Sequence, residues 1–328
     1  MLFFVGWKAM PNEKITVVVP VWNSRPYLKA CLDSTIAAMR NYGPAELIVI
    51  DNGSTDGSYE MLNSDYGLLA RIYQIRDATI SALRNYGARV GSGEYLSFID
   101  SDCTIPEDYF HRVMAVFSSI ATDAAGCMYE LPPTPHWIEK TWQELHERPE
   151  DGYVNLVNSG NLIVKAAVFE QSGGFDESLV TGEDAEFCQR LITAGFHIYE
   201  SHDISAVHLG NPKTLVAFFR KQVWQGLGMF GTAKLSWLDK PLLMTLVFLV
   251  LSAIGIAELF FASVDLRIRV GTLVLFSTLV PALTVGYRAA NRGRLRRPLR
   301  SILLYWVYYA GRVYALFLIL FRHMQAHE

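Results

Sequence analysis

Apolar residues are distributed along this chain in two ways. Up to about Gly210, short apolar runs alternate with stretches of helical spacing; from Leu242 onward the apolar runs are long and almost unbroken. Ile15-Thr16-Val17-Val18-Val19 is a β-branched run stopped by Pro20, the pattern of a buried strand entering a loop. Between Tyr27 and Tyr42, Leu28, Leu32, Ile36 and Met39 recur at helical spacing. Leu47 to Ile50 is a second apolar strand and ends at Asp51. Asn52-Gly53-Ser54-Thr55-Asp56-Gly57 follows, all turn and cap chemistry. The pattern then predicts a helix over 58–69, a strand over 71–74 and a helix over 80–90. Tyr95 to Ile99 is another strand, ending at Asp100. Pro106 suits the first turn of a helix reaching about Ser119, and residues 124–129 return to strand. Strands alternating with helices predict an α/β fold, Rossmann-like, with a mostly parallel sheet and helices on both faces. Such sheets bind ligands beyond the carboxyl ends of their strands. The loop after Pro20, Asp51 and Asp100 therefore converge on one edge.

Beyond Tyr129 the pattern weakens. Leu131-Pro132-Pro133-Thr134-Pro135 is a loop. Asn158-Ser159-Gly160-Asn161 leads into the apolar Leu162-Ile163-Val164. Gly182-Glu183-Asp184 opens a helix over about 185–194, which Gly195 ends. The long apolar runs are 242–264, 270–287 and 302–321, each long enough for about 30 Å of hydrocarbon. Glu258 interrupts the first and Arg312 the third; the two could pair, or Arg312 could grip a lipid phosphate. From Thr214 to Trp237, Phe218, Phe219, Trp224, Leu227, Met229, Phe230 and Trp237 mingle with Arg220, Lys221 and Lys234. That mixture fits interfacial helices, with core packing as the rival reading. The organisation expected is an α/β domain over 1–212, interfacial helices over 213–240, and two or three transmembrane helices over 241–328.

Charge sharpens this division. From Pro241 onward there are ten Arg, no Lys and three acids, which leaves 19 basic and 29 acidic residues before it. The front is acidic and carries no basic stripe for nucleic acid. Arg288, Arg292, Arg294, Arg296, Arg297 and Arg300 crowd the second connection of the tail, against Arg267 and Arg269 in the first. By the positive-inside rule the second connection is cytoplasmic, and so is the domain two crossings away. Cys31, Cys103, Cys127 and Cys188 lack metal-ligand spacing and fit reduced buried thiols. The apolar start, Met1 to Trp7, is too short for a signal-peptide core and reads as a strand-like or membrane-touching arm.

Four clusters carry candidate chemistry. Asp100-Ser101-Asp102 at a strand end offers hard oxygen ligands for Mg²⁺ or Mn²⁺, although Asp-X-Asp is also a common solvated turn. Asp51 could accept the imide N–H of a base, or cap the turn that follows; Asp56 is better read as a cap. Glu183 and Asp184 could deprotonate a hydroxyl, or simply complement a helix N-terminus. His208, in Ala206-Val207-His208-Leu209-Gly210, is a satisfied core residue or a metal ligand. Arg84 and Asn85 could meet phosphate or ribose, or face solvent on a helix.

Taken together, residues 15–34, 46–58, 80–103, 158–191 and 206–210 resemble glycosyltransferase family 2, inverting enzymes of the GT-A fold that use nucleotide sugars. The resemblance implies that Pro20, Val21 and Asn23 line the nucleotide pocket and that Asp51 binds the base. Arg84, Asn85, Asp100 and Ser101 would lie along the donor, and Asp102 with His208 would hold Mn²⁺ or Mg²⁺. Asp184 would be the catalytic base, with Glu183 beside it. Asn158, Ser159, Gly160, Asn161 and Trp224 would shape the sugar and acceptor pocket. Processive members carry Gln-X-X-Arg-Trp after the base; residues 219–226 here lack Arg-Trp at that offset from Gln222, so addition of one sugar or a few is expected. The implied partners are a nucleotide-diphosphate sugar, a UDP-sugar first, a lipid-linked or membrane acceptor, and the bilayer of a bacterial inner membrane. A polyprenyl-phosphate acceptor and a catalytically silent membrane scaffold are the alternatives.

Overall fold

A computed structural model describes residues 13–146, 150–231, 240–261, 263–292 and 296–325. The arm at 1–7, and Lys234 and Trp237 of the aromatic segment, lie outside the described residues. The chain divides into two compact units. One takes the described residues through Pro132 and those from 150 to Gly210; the other takes Pro133 to His146 and those from Asn211 onward.

The first unit is built on an eight-stranded sheet. In chain order its elements are β1 (Ile15–Val21), α1 (Arg25–Tyr42), β2 (Ala45–Asp51), α2 (Ser58–Met61), β3 (Arg71–Gln74), α3 (Ile80–Val90), β4 (Tyr95–Ile99), β5 (Cys103–Thr104), α4 (Tyr109–Ser119) and β6 (Ala124–Gly126). After α5 (Trp137–Glu144), which belongs to the other unit, come β7 (Gly152–Tyr153), β8 (Asn161–Lys165), α6 (Ala166–Gln171), α7 (Glu183–Thr193), β9 (Ile198–Glu200) and β10 (Val207–His208). The sheet order is β3-β2-β1-β4-β8-β6-β9-β7, and β5 pairs with β10 in a separate ribbon.

The continuous apolar runs have a direct cause. All seven residues of β1 are buried. Val17, Val19 and Val21 face a cluster with Leu28, Leu32, Tyr109 and Phe110, whereas Val18 joins Ile48, Ile50, Phe98, Phe169 and Phe187. The two sets are the two faces of one sheet, covered by α1 and α4 on one side and by α3, α6 and α7 on the other. Each fully buried aliphatic side chain contributes about 1.5–3 kcal/mol.

The central strands β3, β2, β1 and β4 are parallel, as the alternation predicts, but β8 runs antiparallel to both β4 and β6. Periodicity cannot report direction, so this inversion was not visible in the pattern. Other boundaries also move. The helix expected over 58–69 is one α turn followed by a π turn, Leu62–Tyr66. The wider turn buries both Leu62 and Tyr66 and lets the Tyr66 hydroxyl donate to Asp33 at 2.7 Å. The helix after Pro106 begins only at Tyr109, and β6 stops at Gly126.

The second unit consists of α5, α8 (Leu215–Gly231), α9 (Lys240–Phe261), α10 (Leu266–Arg292) and α11 (Pro298–Gln325). The three long helices α9, α10 and α11 are each long and apolar enough to cross a membrane. Trp142 of α5 packs its ring against Phe218, Tyr305 and Tyr308 at 4.8, 5.5 and 5.9 Å. Glu144 pairs with Arg297 at 2.8 Å, and the Leu145 carbonyl accepts from Arg288 at 3.1 Å. The aromatic face of α8 is divided: Phe218 is buried with Leu304 and Val307, while Trp224 and Val216 are exposed. Arg312 does not pair with Glu258. It donates to Gln225 of α8 at 3.3 Å and lies 4.9 Å from the Tyr308 ring centroid, because α11 turns it toward α8.

Candidate active site

Parallel pairing of β1, β2, β3 and β4 brings their carboxyl ends to one edge, and the acids follow from that placement. Asp51, at the end of β2, is fully buried. Its Oδ2 accepts from the Gly53 and Ser54 backbone N–H groups (2.9 and 3.0 Å) and from the Gln74 amide (3.0 Å). Its Oδ1 has no hydrogen-bond partner among the described residues. A buried carboxylate oxygen left without a donor is costly, so a ligand N–H placed there would be favoured. In β1, Pro20 and Val21 stand in register with Ile50 and Asp51. Asn23 follows at φ 49°; its Oδ1 accepts from the Thr55 N–H at 2.8 Å and its own N–H donates to Ser54 Oγ at 2.9 Å. Ser24 and Ser101 join their hydroxyls at 2.6 Å, linking this loop to the Asp100 turn. Asp56 accepts from the Arg25 N–H and from Ser58 and so fastens this loop, while Gly57 rather than Asp56 is the N-cap of α2.

Arg84 is not a surface residue of α3. Its guanidinium is almost fully buried, donating to Asp100 Oδ1 at 2.6 Å and to Glu183 Oε1 at 2.7 Å. Burial alone would lower its pKa, but Asp100 and Glu183 outweigh that and raise it. Ser159 Oγ also donates to Glu183 Oε1, at 3.0 Å, and the Tyr129 hydroxyl donates to Asp100 Oδ2 at 3.2 Å. Burial, then the Asp100 charge, push the Tyr129 phenol well above its usual range, so it remains a donor. Gly160 is required here: a Cβ at that position would strike the Asp100 carboxylate and the Tyr129 hydroxyl.

Asp184 differs from its neighbour. No described cation forms a salt bridge with it, and the Ala185 N–H donates to its Oδ1 at 2.8 Å. Burial and then the adjacent Glu183 charge raise its pKa to about 6. Gly182, at φ 83°, turns the chain into α7 immediately before the pair.

On the other side of the Asp100 turn, the β5/β10 ribbon sets His208 directly opposite Cys103. His208 Nε2 lies 3.4 Å from Asp102 Oδ2, and the donor atoms of Asp102, Cys103 and His208 lie within 4.8 Å of one another. A Cβ at Gly210 would fall on Asp102 Oδ2, so the chain leaves room for this carboxylate. One carboxylate oxygen and one imidazole nitrogen at this separation fit a divalent cation.

Asp51, Arg84, Asp100, Ser101, Asp102, Ser159, Gly160, Glu183, Asp184 and His208 are thus all tied to the turns at this edge. Asn85 is engaged elsewhere: its amide accepts from the Phe175 N–H and donates to the Phe175 carbonyl and Glu177. Asn161 is buried, accepting from the Tyr109 hydroxyl at 2.6 Å and donating to the Cys127 and Ile204 carbonyls. The Asn158 carbonyl accepts from the Asn161 N–H. Trp224 belongs to the helical unit. Gln74, Ser24 and Tyr129 were not among the expected site residues, and Cys103 was read only as a buried thiol. Gln74 ends a strand as Asp51 does and was findable by the same rule. Tyr129 lies beyond the regular strand and carried no such signal.

A sequence model described as glycosyl transferase family 2 matches residues 16–132. Glycosyltransferase AglE of Haloferax volcanii is 26% identical over 297 residues, covering 88% of this chain and 97% of that protein. Glycosyltransferase GlyA of Streptococcus pneumoniae is 32% identical over 199 residues, covering 55% of this chain and 28% of its own length. Among solved structures, the mannosyltransferase PcManGT of Pyrobaculum calidifontis, in complex with GDP-Man and Mn²⁺, superposes with a TM-score of 0.56 at 17% identity. The match covers 95% of this chain and 89% of that one, a likeness of fold.

Proposed function

We propose, on the premise that this chain belongs to glycosyltransferase family 2, that it is a membrane-anchored transferase. It moves a sugar from a nucleotide diphosphate to a hydroxyl of a lipid-linked glycan or membrane lipid, with inversion and without processive extension. The observation that carries this reading is the unlike state of two adjacent acids. Glu183 pairs with Arg84 and accepts from Ser159, whereas no described cation forms a salt bridge with Asp184, which burial and then the Glu183 charge raise to about 6. A carboxylate so tuned accepts a proton near neutral pH, which a hydroxyl acceptor needs and an already ionised phosphate does not.

Asp51 would read the base. Its single available oxygen, Oδ1, suits the one imide N–H of uracil better than the paired donors of guanine, which supports a UDP-sugar. Pro20, Val21 and Asn23 would border the base, and Asp100 with Ser101 the ribose and sugar. Arg84 would act through Asp100 and Glu183, which it fixes. Asp102 and His208 would hold Mn²⁺ or Mg²⁺, which when bound supplies positive charge against the departing diphosphate. The acceptor oxygen gives its proton to the Asp184 carboxylate and bonds to the anomeric carbon. On the opposite face the carbon–oxygen bond to the diphosphate breaks, releasing the nucleoside diphosphate. The apolar helices α9 and α10, with α11 as the third candidate, would anchor the enzyme in the inner membrane with its catalytic unit cytoplasmic.

The test is a donor panel on the purified full chain with Mn²⁺ and membrane extract, scoring nucleoside diphosphate release. UDP-sugars should turn over ahead of dTDP- and GDP-sugars, and Asp184→Asn should abolish release while binding of UDP persists. Full turnover by the Asp184→Asn protein would sink the assignment. Absence of both UDP binding and turnover would favour a silent scaffold.

A further inference from the structure

We propose that Cys103 is a third protein ligand beside Asp102 and His208. The site would then combine oxygen, nitrogen and sulfur donors and take thiophilic divalent ions, Zn²⁺ and Cd²⁺, far more tightly than Mg²⁺. The inference rests on the reading that Asp102 and His208 hold a metal. Its warrant is the ribbon. Cys103 and His208 are directly paired across β5 and β10, and paired residues in an antiparallel ribbon present side chains to the same face, with Cβ atoms about 4.5–5.5 Å apart. The Cys103 thiol donates toward Asp102 Oδ1 at 3.9 Å, and Asp102 Oδ2 lies 3.4 Å from His208 Nε2. One carboxylate therefore faces the thiol with one oxygen and the imidazole with the other. Donors around a tetrahedral ion with bonds of about 2.0–2.3 Å stand roughly 3.5 Å apart. A group within 4.8 Å needs to close by only about an ångström.

The rival role for a buried cysteine is that of a small apolar filler. The other thiols behave in that way. Cys31 donates to the Asp100 carbonyl at 3.5 Å and Cys188 to the Val157 carbonyl at 3.7 Å, while Cys127 lies in the core cluster to which Cys31 and Cys103 also belong. Only Cys103, among the described residues, directs its thiol at a side-chain carboxylate of the site. Cys103 and His208 are buried while Asp102 is partly exposed, so an ion would enter past Asp102. As the sulfur–metal bond forms, the thiol proton passes to solvent, and no oxidation is involved. Soft thiolate and imidazole donors select Zn²⁺-like ions over Mg²⁺, which prefers all-oxygen shells.

The full chain in detergent would be titrated with Cd²⁺ alone, reading the ultraviolet sulfur-to-cadmium charge-transfer band. Wild type, Cys103→Ser, Cys31→Ser and Asp102→Asn would be compared, with melting curves to confirm folding. Mn²⁺ binding would be followed separately by loss of the free-ion paramagnetic resonance signal. The expected result is a band in wild type and Cys31→Ser that disappears in Cys103→Ser. Cd²⁺ affinity should fall roughly tenfold or more in that variant, with Mn²⁺ affinity changed far less. A band that persists in Cys103→Ser overturns the proposal. So does Mn²⁺ binding that depends on Asp102 in a wild type that shows no band, which leaves the metal reading itself intact. If neither ion binds, both readings fall.

Discussion

Glu183 and Asp184 are neighbours with opposite surroundings, and the difference has consequences that can be measured. As a general base, Asp184 works only when ionised, so turnover should rise with pH through about 6 and level off above it. An acid limb near 4 would show that another carboxylate takes the proton. The same shift acts on stability with a definite sign. Between the ordinary 3.8 and about 6, the folded chain binds more protons at this site than the unfolded chain, so stability falls as pH rises through that window. Asp184→Asn removes that cost. It should be more stable than wild type at pH 7, by up to about 3 kcal/mol, with the gain vanishing below about pH 4, as thermal melts at several pH values would reveal. Arg84 should behave in the reverse way. Arg84→Gln leaves Asp100 and Glu183 buried without their cation and should destabilise the chain by about 3–5 kcal/mol in denaturant titrations. The acids were legible because each ends an apolar run or opens a helix. Arg84 was named as a candidate, but its bridge between Asp100 and Glu183 was not legible, since nothing in local spacing distinguishes a buried bridging arginine on an amphipathic helix from a solvated one.

At the scale of elements, the site depends on how β8 meets β4. Antiparallel pairing of Ile99 with Asn161 carries Gly160 against the Asp100 carboxylate. Gly160→Ala should therefore displace Asp100 and raise the donor KM roughly tenfold or more. Gly152→Ala, where a Cβ meets nothing within 4 Å, should leave it unchanged. Equal KM values for the two variants would show that the Asp100 position does not govern donor binding. The strands β1, β2 and β4 were readable, because they are buried and apolar at most positions, and β2 and β4 run into Asp51 and Asp100. The direction of β8 and the two-residue ribbon β5/β10 were hidden. Direction leaves no periodic trace, and pairing of two residues with two is specified by tertiary contacts rather than by propensity.

The whole molecule joins an acidic sheet unit to a basic helical one, and its proposed orientation rests on more than the count of arginines. Glu144 and the Leu145 carbonyl hold Arg297 and Arg288, so the segment ending α5 lies at the Arg-rich ends of α10 and α11. No apolar span separates that segment from the chain on either side of it. In the proposed orientation the charge bias makes the Arg-rich face cytoplasmic, and this attachment would put the segment ending α5 on that same side. The three apolar helices were legible from length and hydropathy alone, whereas the turn of Arg312 toward Gln225 required knowing which helix lies beside α11. The orientation predicts the accessibility of two introduced thiols. Ser263 lies in the exposed connection between α9 and α10, and Leu68 is fully exposed in the first unit, while all four native cysteines are buried. A membrane-impermeant maleimide should label Ser263→Cys but not Leu68→Cys in intact cells, and Leu68→Cys but not Ser263→Cys in inverted vesicles. Labelling of Leu68→Cys from outside would reverse the orientation. It would also separate the catalytic edge from the cytoplasmic nucleotide sugars on which the proposed reaction depends.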